Sequence, residues 1–236
     1  MNIRLYHPDS ILENNISLLS KEHTHYIVNV MRLKRGSNLN FFNKNGEWKS
    51  EIIFLNKDRV EVRFLEKIKE ANNLSKTELA ICLVKKIPMD NILQKATELG
   101  ISKIIPIISE RTEVKELNLD RAKKIVIEAT EQSNQLVPPN ISDVIKLKDF
   151  LLTFDENSKI LFADVNSIEN LYTEDLKNVR SCCILIGPEG DFSTAERDLI
   201  LQNRAVKPFT LSRNILRSDT AAISAISLVN FINNFH

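Results

Sequence analysis

The sharpest chemical feature of the sequence is a strand that runs into a turn rich in glycine and acid, Ile184–Ser193 (ILIGPEGDFS). In open parallel α/β sheets, ligands bind at the carboxyl ends of the strands, which is where this turn would lie. The segment lacks the G-x-G-x-x-G spacing of dinucleotide sites and the Lys-Ser/Thr pair of a phosphate-binding loop. Because Glu189 and Asp191 would repel a phosphate, the turn favours a cationic or neutral ligand. A tight turn in which glycine adopts a positive φ explains the segment equally well.

A second polar loop precedes the last predicted helix, in Thr210–Ala221 (TLSRNILRSDTA). Ser218, Asp219 and Thr220 can each cap that helix. The helix is apolar on nearly every face over Ala221–Ile232, so we expect it to be buried in the core or in a subunit interface.

A polar stripe lies on one face of a further predicted helix. It consists of Glu128, Glu131, Gln132 and Gln135, which follow one another at i, i+3, i+4 and i+7. Such a stripe is either a solvated helix face or one wall of a site.

The elements that must position these residues follow two patterns. Over Leu39–Glu66, short apolar runs alternate with turn signals at Asn45-Gly46 and Asn56–Asp58, which predicts antiparallel hairpins. The apolar spacing in Ile27–Leu33 predicts one short helix or turn that stops at Gly36.

A polar segment, Glu70–Asn73, separates this region from the rest of the chain. From Thr77 onward, predicted strands and helices alternate, which is typical of an α/β fold with a parallel sheet. Ser193 and Glu196 form a capping box that opens one of these helices. We therefore predict a small β-rich, barrel-like unit over residues 1–69 and a parallel α/β domain over residues 74–236.

The composition is that of a folded globular chain, with 236 residues, 43% apolar and 27% charged. No apolar run approaches the roughly 18 residues of a membrane span, and the first residues lack the apolar region of a secretory signal, so we expect a cytoplasmic protein and no membrane partner. Three cysteines predict no disulfide, and four histidines without zinc-ligand spacing predict no metal. A net charge of +1 argues against binding nucleic acid by bulk charge, although residues 1–70 carry 12 Lys and Arg against 9 Asp and Glu.

Five segments occur together in a definite order: HYIVNVMRLKRGS, LQKATELGISKIIPIISERTEV, IEATEQS, LIGPEGDFS and ILRSDTA. In these segments the chain resembles the RsmE-type 16S ribosomal RNA (uridine-N3) methyltransferases of the SPOUT (trefoil-knot) class, over nearly its whole length. The resemblance implies a PUA-like β-barrel RNA-binding domain over residues 1–69. It implies a knotted parallel α/β methyltransferase domain over residues 74–236 that binds S-adenosyl-L-methionine. It also implies a homodimer through the knot, with 16S rRNA or the small ribosomal subunit as partner.

The resemblance further implies roles for individual residues. The cofactor would be held by the turn after KILFADV and by two loops that contain Leu185, Ile186, Gly187, Pro188, Glu189, Gly190, Leu211, Ser212, Ile215 and Leu216. Arg217 would stabilise the anion that develops on the uridine. Glu131 and Asp219 are the candidate general bases. We expect RNA contacts at Arg4, Arg32, Lys34, Arg35 and Arg111.

The chain departs from the family pattern at several positions. Asn134-Gln135 stands where the family usually has Gly-Arg, Ser212 where a glycine opens the last ligand loop, and Asp191 where a second glycine is common. The usual RTET reads RSDT over Arg217–Thr220. Two alternatives remain open: a SPOUT methyltransferase with another RNA target, and a non-catalytic RNA-binding ribosome assembly factor.

Overall fold

The computed structural model describes residues 3–71, 77–154, 158–177, 179 and 181–234. The chain divides into two compact units. The first comprises Met1–Asn73 together with Thr130–Val137, and the second comprises Leu74–Ala129 and Pro138–His236. Two residues of the predicted boundary segment, Asn72 and Asn73, lie outside the described residues.

The first unit is built around a five-stranded sheet. Its elements in chain order are β1 (Arg4–Tyr6), β2 (Ile16–Leu18), α1 (Lys21–His25), the π-helical turn π1 (Tyr26–Val30), β3 (Asn38–Asn43), β4 (Gly46–Leu55) and β5 (Val60–Lys69). The strand order is β1-β3-β4-β5-β2, with β1 parallel to β3 and the other pairs antiparallel. The predicted hairpins are therefore confirmed.

The helical segment of the first unit begins and ends earlier than its sequence pattern predicts. It begins at Lys21, where the Ser20 hydroxyl accepts a hydrogen bond from the backbone N–H of His23 at 3.1 Å, and α1 continues directly into π1. It ends before Gly36 is reached, because Arg32 adopts a left-handed φ of 50°. π-Helical turns are rare and occur frequently at functional sites.

The core of the first unit is largely aromatic. Phe41 and Phe64 are almost fully buried, and their rings meet edge to face with centroids 5.8 Å apart. The imidazole of His7 packs edge-on against both rings, and that of His23 packs against Phe41. Two histidines thus lie against an apolar core.

Acidification should therefore destabilise the first unit through His23. Burial lowers the pKa of His23 from 6.5, and His7 lowers it further, while Glu22 has the opposite effect. Since the unfolded chain binds this proton more readily than the folded chain, stability is lost as the pH falls from about 6.5 through the lower pKa of the folded state. We expect His23→Gln to flatten the pH dependence of thermal unfolding below neutral pH. His25→Gln, at an exposed position, is the matched control. The same pH dependence in His23→Gln as in the wild type would contradict this role.

The second unit is a parallel α/β fold. Its elements are β6 (Thr77–Cys82), α2 (Lys86–Glu98), β7 (Lys103–Ile108), α3 (Leu119–Gln132), β8 (Asn140–Ile141), β9 (Ile145–Lys146), α4 (Leu147–Leu151), β10 (Ser158–Ala163), α5 (Thr173–Leu176), β11 (Ser181–Ile186), α6 (Thr194–Gln202), β12 (Val206–Phe209) and α7 (Ser218–Asn234). The last residues of α3 belong to the first unit. The sheet order is β12-β10-β11-β6-β7-β8, with β9 also paired to β7, and every pair is parallel. The predicted parallel sheet is confirmed.

Apolar clusters cover both faces of this sheet. Along β11 the side chains alternate between them: Ile184 and Ile186 pack in one cluster, and Cys183 and Leu185 pack in the other. A strand buried on both faces explains why its sequence is apolar without interruption.

The last helix, α7, buries one face within its own chain. Ala225, Ile226 and Val229 have no exposed surface, whereas Phe231 is 63% exposed. Ile226 is thus a core residue, so a charged substitution there would destabilise the second unit rather than report on a subunit interface.

The three cysteines, Cys82, Cys182 and Cys183, are free and buried, and burial raises the pKa of the Cys82 thiol to about 12. Within the residues that the structure describes, no helix combines the length and apolarity needed to cross a membrane. In the same ranges, no three His, Cys, Asp or Glu side chains are grouped as a metal site would require.

Candidate active site

Three loops leave the carboxyl ends of neighbouring strands in the second unit. They follow β10, β11 and β12 and begin at Asp164, Gly187 and Thr210. Because β10 pairs with both β11 and β12 in parallel, the three loops emerge at the same edge of the sheet. This edge brings together the turn after KILFADV and the two segments predicted to hold a cofactor.

The loop after β11 is a tight turn with a left-handed residue. The backbone N–H of Asp191 donates to the carbonyl of Pro188 at 3.0 Å. Asp191 has a φ of 58°, and its Oδ1 accepts a hydrogen bond from the N–H of Phe192 at 2.8 Å. Gly187 serves packing instead, because a Cβ there would lie 3.0 Å from the ring of Phe192. The left-handed position is therefore Asp191, and neither Gly187 nor Gly190 has a positive φ.

Two substitutions at Asp191 should separate strain from hydrogen bonding. Asp191→Ala loses the bond to the N–H of Phe192 and keeps the left-handed backbone, so we expect a loss of about 1 kcal/mol in the free energy of unfolding. Asp191→Gly loses the same bond but relieves the strain, so we expect it to stay close to the wild type. Urea unfolding of both variants checks this, and equal losses would contradict the assignment of strain to Asp191.

The loops after β11 and β12 are joined by a buried hydroxyl. Ser218, the first residue of α7, is 6% exposed, and its Oγ donates to the carbonyl of Gly187 at 3.1 Å. Leu211 packs against the same apolar cluster that contains Ile186. The predicted cap residue therefore holds one loop to the other.

The turn after β10 is fixed to the same edge. The N–H of Asp164 donates to the carbonyl of Phe209 at the end of β12, at 3.0 Å. The carboxylate of Asp164 is buried and accepts hydrogen bonds from the guanidinium of Arg197 at 3.1 and 2.7 Å. It also accepts from the N–H of Asn166 at 3.0 Å, which closes the turn.

The predicted cofactor residues differ widely in exposure. Leu185 is completely buried in the cluster opposite that of Ile186, so its side chain is a core residue. Pro188 is buried, and Gly187, Leu211 and Leu216 are half-buried. The exposed members are Glu189, Gly190, Ser212 and Ile215.

The candidate catalytic residues Arg217 and Asp219 flank the first residue of α7. Asp219 accepts hydrogen bonds from the side chain of Asn91 at 3.3 Å and from the N–H of Thr220 at 2.9 Å. Arg217 is exposed, and among the described residues its guanidinium forms no hydrogen bond or ion pair. Because a cation at a helix N-terminus is electrostatically unfavourable, helix stability does not explain this arginine.

Arg111, expected to contact RNA, lies against the loop after β11. Its Nη1 donates to the carbonyls of Gly190 at 3.0 Å and Phe192 at 3.4 Å. The residue follows β7, whose sequence neighbours give no indication of this partner 79 positions away.

Arg4 and Glu131 meet within the first unit. The guanidinium of Arg4 donates to the carbonyls of Glu131 and Gln135, both at 2.9 Å, and to the carboxylate of Glu47 at 3.1 Å. Oε1 of Glu131 accepts a hydrogen bond from the N–H of Tyr6 at 2.8 Å. The Arg4 side chain is only 11% exposed, and these contacts hold it within the first unit. Its expected RNA contact stays a prediction.

The sequence matches two family models. One, described as an RNA methyltransferase domain, matches residues 70–230, and the other, described as an RNA methyltransferase PUA domain, matches residues 19–65. A Rickettsia conorii protein named ribosomal RNA small subunit methyltransferase E is 36% identical over 238 residues, which cover 98% of this chain and 96% of that protein. The chain belongs to the ribosomal RNA small subunit methyltransferase E family.

Further members of this family resemble the chain closely. A Bacillus subtilis protein of the same name is 30% identical over 228 residues, which cover 90% of this chain and 89% of that protein. A crystal structure of the family member from Neisseria gonorrhoeae, bound to S-adenosyl methionine, superposes with a TM-score of 0.89 at 26% identity and covers 98% of both chains. The SPOUT α/β fold preceded by a PUA-like unit, which the resemblance implied, is confirmed.

The PUA match of this methyltransferase E family member includes an exposed basic loop. Arg32, Lys34 and Arg35 are exposed and follow π1 directly. The adjoining Val30 and Met31 are 57% and 37% exposed. Cations beside apolar side chains suit RNA, whose phosphates are charged and whose bases stack on apolar surface.

Two contacts that build the site could not be predicted from the sequence. The Asp164–Arg197 ion pair spans 33 positions, and the Ser218–Gly187 bond spans 31. Asp164 is a polar residue directly after a buried strand, which indicates a loop at the edge of the sheet where ligands bind. Nothing local identifies Arg197 as its partner.

Proposed function

We propose that this chain is an S-adenosyl-L-methionine-dependent methyltransferase that acts on N3 of a uridine in 16S ribosomal RNA. The observation that carries the proposal is the joining of three strand-end loops at one sheet edge through Ser218 and Asp164. Membership of the methyltransferase E family over nearly the whole chain supports the substrate, and the Neisseria gonorrhoeae structure supports the cofactor.

The residues at this edge fit the proposed cofactor. Glu189 and Asp191 place two carboxylates in the loop after β11, which favours a sulfonium cation over a phosphate. The ring of Phe192 packs against Gly187 and so helps to hold the loop after β11 at the sheet edge. Ile215 is 90% exposed and offers apolar surface for an adenine ring in the loop after β12.

The chain must also remove a proton and stabilise charge. When bound, S-adenosyl-L-methionine supplies an electrophilic methyl group. The uridine N3 would lose its proton to a base and form a bond to that carbon as the carbon–sulfur bond breaks, so negative charge would develop on the base before the new bond is complete. Arg217 holds its guanidinium at the start of α7, where it stabilises this charge.

Asp219 is the proposed proton acceptor. Its carboxylate lies in the first turn of α7, two residues from Arg217, and the two hydrogen bonds that it accepts within the described part of the chain come from neutral donors. The carboxylate of Glu131 already accepts a backbone N–H in the first unit, which favours a positioning role for it. N3 lies on the Watson–Crick edge, so the target base must be unpaired or flipped out of its stack.

RNA binding, oligomeric state and location complete the proposed function. We propose that Arg32, Lys34 and Arg35 bind the ribosomal RNA and that the active form is a homodimer that uses the exposed side of α7. Size exclusion with light scattering should then give twice the chain mass of 27.0 kDa. The proposed chemistry requires no metal, because the leaving group is a neutral thioether. Since the proposed substrate is ribosomal RNA, we also propose a cytoplasmic location.

Isothermal titration calorimetry of the full-length chain with S-adenosyl-L-methionine tests the cofactor assignment. We expect saturable binding, and competition by S-adenosylhomocysteine, which has the same adenine and lacks the methyl group. Absence of binding would favour a non-catalytic RNA-binding ribosome assembly factor.

A further inference from the structure

The turn that follows β7 is bonded to the proposed cofactor loop from two sides. This turn, Ser109–Thr112, is closed by its own hydrogen bonds: Ser109 N–H donates to the Thr112 hydroxyl at 2.9 Å, and Thr112 N–H donates to the Ser109 carbonyl at 3.2 Å. Both residues are buried. The turn is therefore a fixed platform at the carboxyl end of β7.

One bond to this platform comes from a buried carboxylate. Glu196 is 4% exposed, and its Oε1 accepts a hydrogen bond from the N–H of Glu110 at 2.8 Å. Its Oε2 accepts from the N–H of Ser193 at 3.2 Å, and the Ser193 hydroxyl accepts from the N–H of Glu196 at the same distance. The predicted capping box of α6 thus also anchors the end of the cofactor loop to the platform.

The second contact is made by Arg111, which is part of the turn itself. Its Nη1 donates to the carbonyls of Gly190 and Phe192, the two residues on either side of the left-handed Asp191. A charged donor that binds two carbonyls favours the one backbone conformation that presents both. This contact restrains the segment where backbone strain is stored.

We propose that Arg111 is a positioning residue for the cofactor loop rather than an RNA contact. Its guanidinium holds Gly190–Phe192 in the conformation that places the loop after β11 against the cofactor. This inference rests on the proposed function. Since the loop would otherwise have to be ordered on binding, loss of the guanidinium weakens cofactor affinity.

A positioning role and an RNA-contact role for Arg111 predict changes in different binding constants. A positioning residue affects the Kd for S-adenosyl-L-methionine and leaves the KM for RNA and its salt dependence unchanged. A phosphate contact leaves the cofactor Kd unchanged, weakens RNA binding, and lowers the slope of log affinity against log salt by about one.

The test uses the full-length wild type, Arg111→Ala, Arg111→Lys and the control Arg204→Ala. Arg204 is exposed in the same unit and, among the described residues, its side chain has no hydrogen-bond partner. Calorimetry with S-adenosyl-L-methionine should give a Kd about tenfold weaker for Arg111→Ala. Arg111→Lys should recover part of the affinity, because an ammonium can donate to one carbonyl but lacks the planar fork. Arg204→Ala should bind like the wild type.

Arg111 is exposed, so its variants should fold, and equal melting temperatures without ligand would exclude a general loss of stability. An unchanged cofactor Kd in Arg111→Ala would overturn the inference. If the same variant instead raises the KM for RNA and lowers the salt slope, the RNA-contact role replaces it. Failure of the wild type to bind S-adenosyl-L-methionine would overturn the proposed function itself, an outcome distinct from a difference confined to Arg111.

Discussion

Replacing Arg217 with alanine should lower the rate constant of methyl transfer by about 10²–10³-fold. The guanidinium is exposed at the start of α7 and, within the described residues, is not engaged in any ion pair that would assign it to structure. Its proposed contribution arises only as negative charge develops on the uridine. Cofactor affinity should therefore change little, because that interaction is absent in the ground state.

Single-turnover methylation with saturating S-adenosyl-L-methionine and RNA measures this effect. Arg217→Lys keeps a positive charge and should retain more activity than Arg217→Ala. Arg204→Ala serves as the control for removal of an exposed arginine. An unchanged rate in Arg217→Ala would reduce Arg217 to a structural residue.

The second large effect is expected on stability, from Arg4→Ala. Arg4 and Glu47 form an ion pair at 3.0 Å whose side chains are 11% and 5% exposed. Removal of Arg4 leaves the Glu47 carboxylate buried, and among the described residues it retains only its bond from the Asn40 amide, at 2.8 Å. We expect a loss of about 3–5 kcal/mol in the free energy of unfolding of the first unit. The carbonyls of Glu131 and Gln135 lose their hydrogen bonds from Arg4 as well.

Urea unfolding of Arg4→Ala checks this expectation, with Arg35→Ala as the control at an exposed position of the same unit. The double variant Arg4→Met with Glu47→Leu removes both charges and should recover much of the lost stability. If Arg4→Ala were as stable as the wild type and bound RNA more weakly, Arg4 would be an RNA contact and not a structural residue.

Local signals in the sequence predicted the elements well. The hairpins over Leu39–Glu66 follow from alternation and from turns at Asn45-Gly46 and Asn56–Asp58, which act within a few residues. The capping box of Ser193 and Glu196 forms as its spacing predicts. Both cases depend on groups that are close in sequence.

Long-range partners could not be predicted in this way. Arg4 and Arg111 look like solvated cations in the sequence, yet each donates to carbonyls more than 70 positions away. Backbone carbonyls carry no sequence signature, so nothing in residue type indicates such acceptors. The domain to which the end of α3 belongs could not be predicted from the sequence either. Thr130–Val137 lies within the predicted α/β domain but belongs to the first unit, where Arg4 and Tyr6 donate hydrogen bonds to it.

The central claim is most directly tested by locating the modification itself. Small-subunit RNA from cells that lack this gene would be incubated with the purified full-length chain and S-adenosyl-L-methionine, and the nucleosides and fragments mapped by mass spectrometry. We predict that a single uridine in 16S rRNA gains one methyl group at N3, and that Arg217→Ala leaves it largely unmodified. Methylation at another atom or in another RNA, or no methylation by a chain that binds the cofactor, would contradict the account.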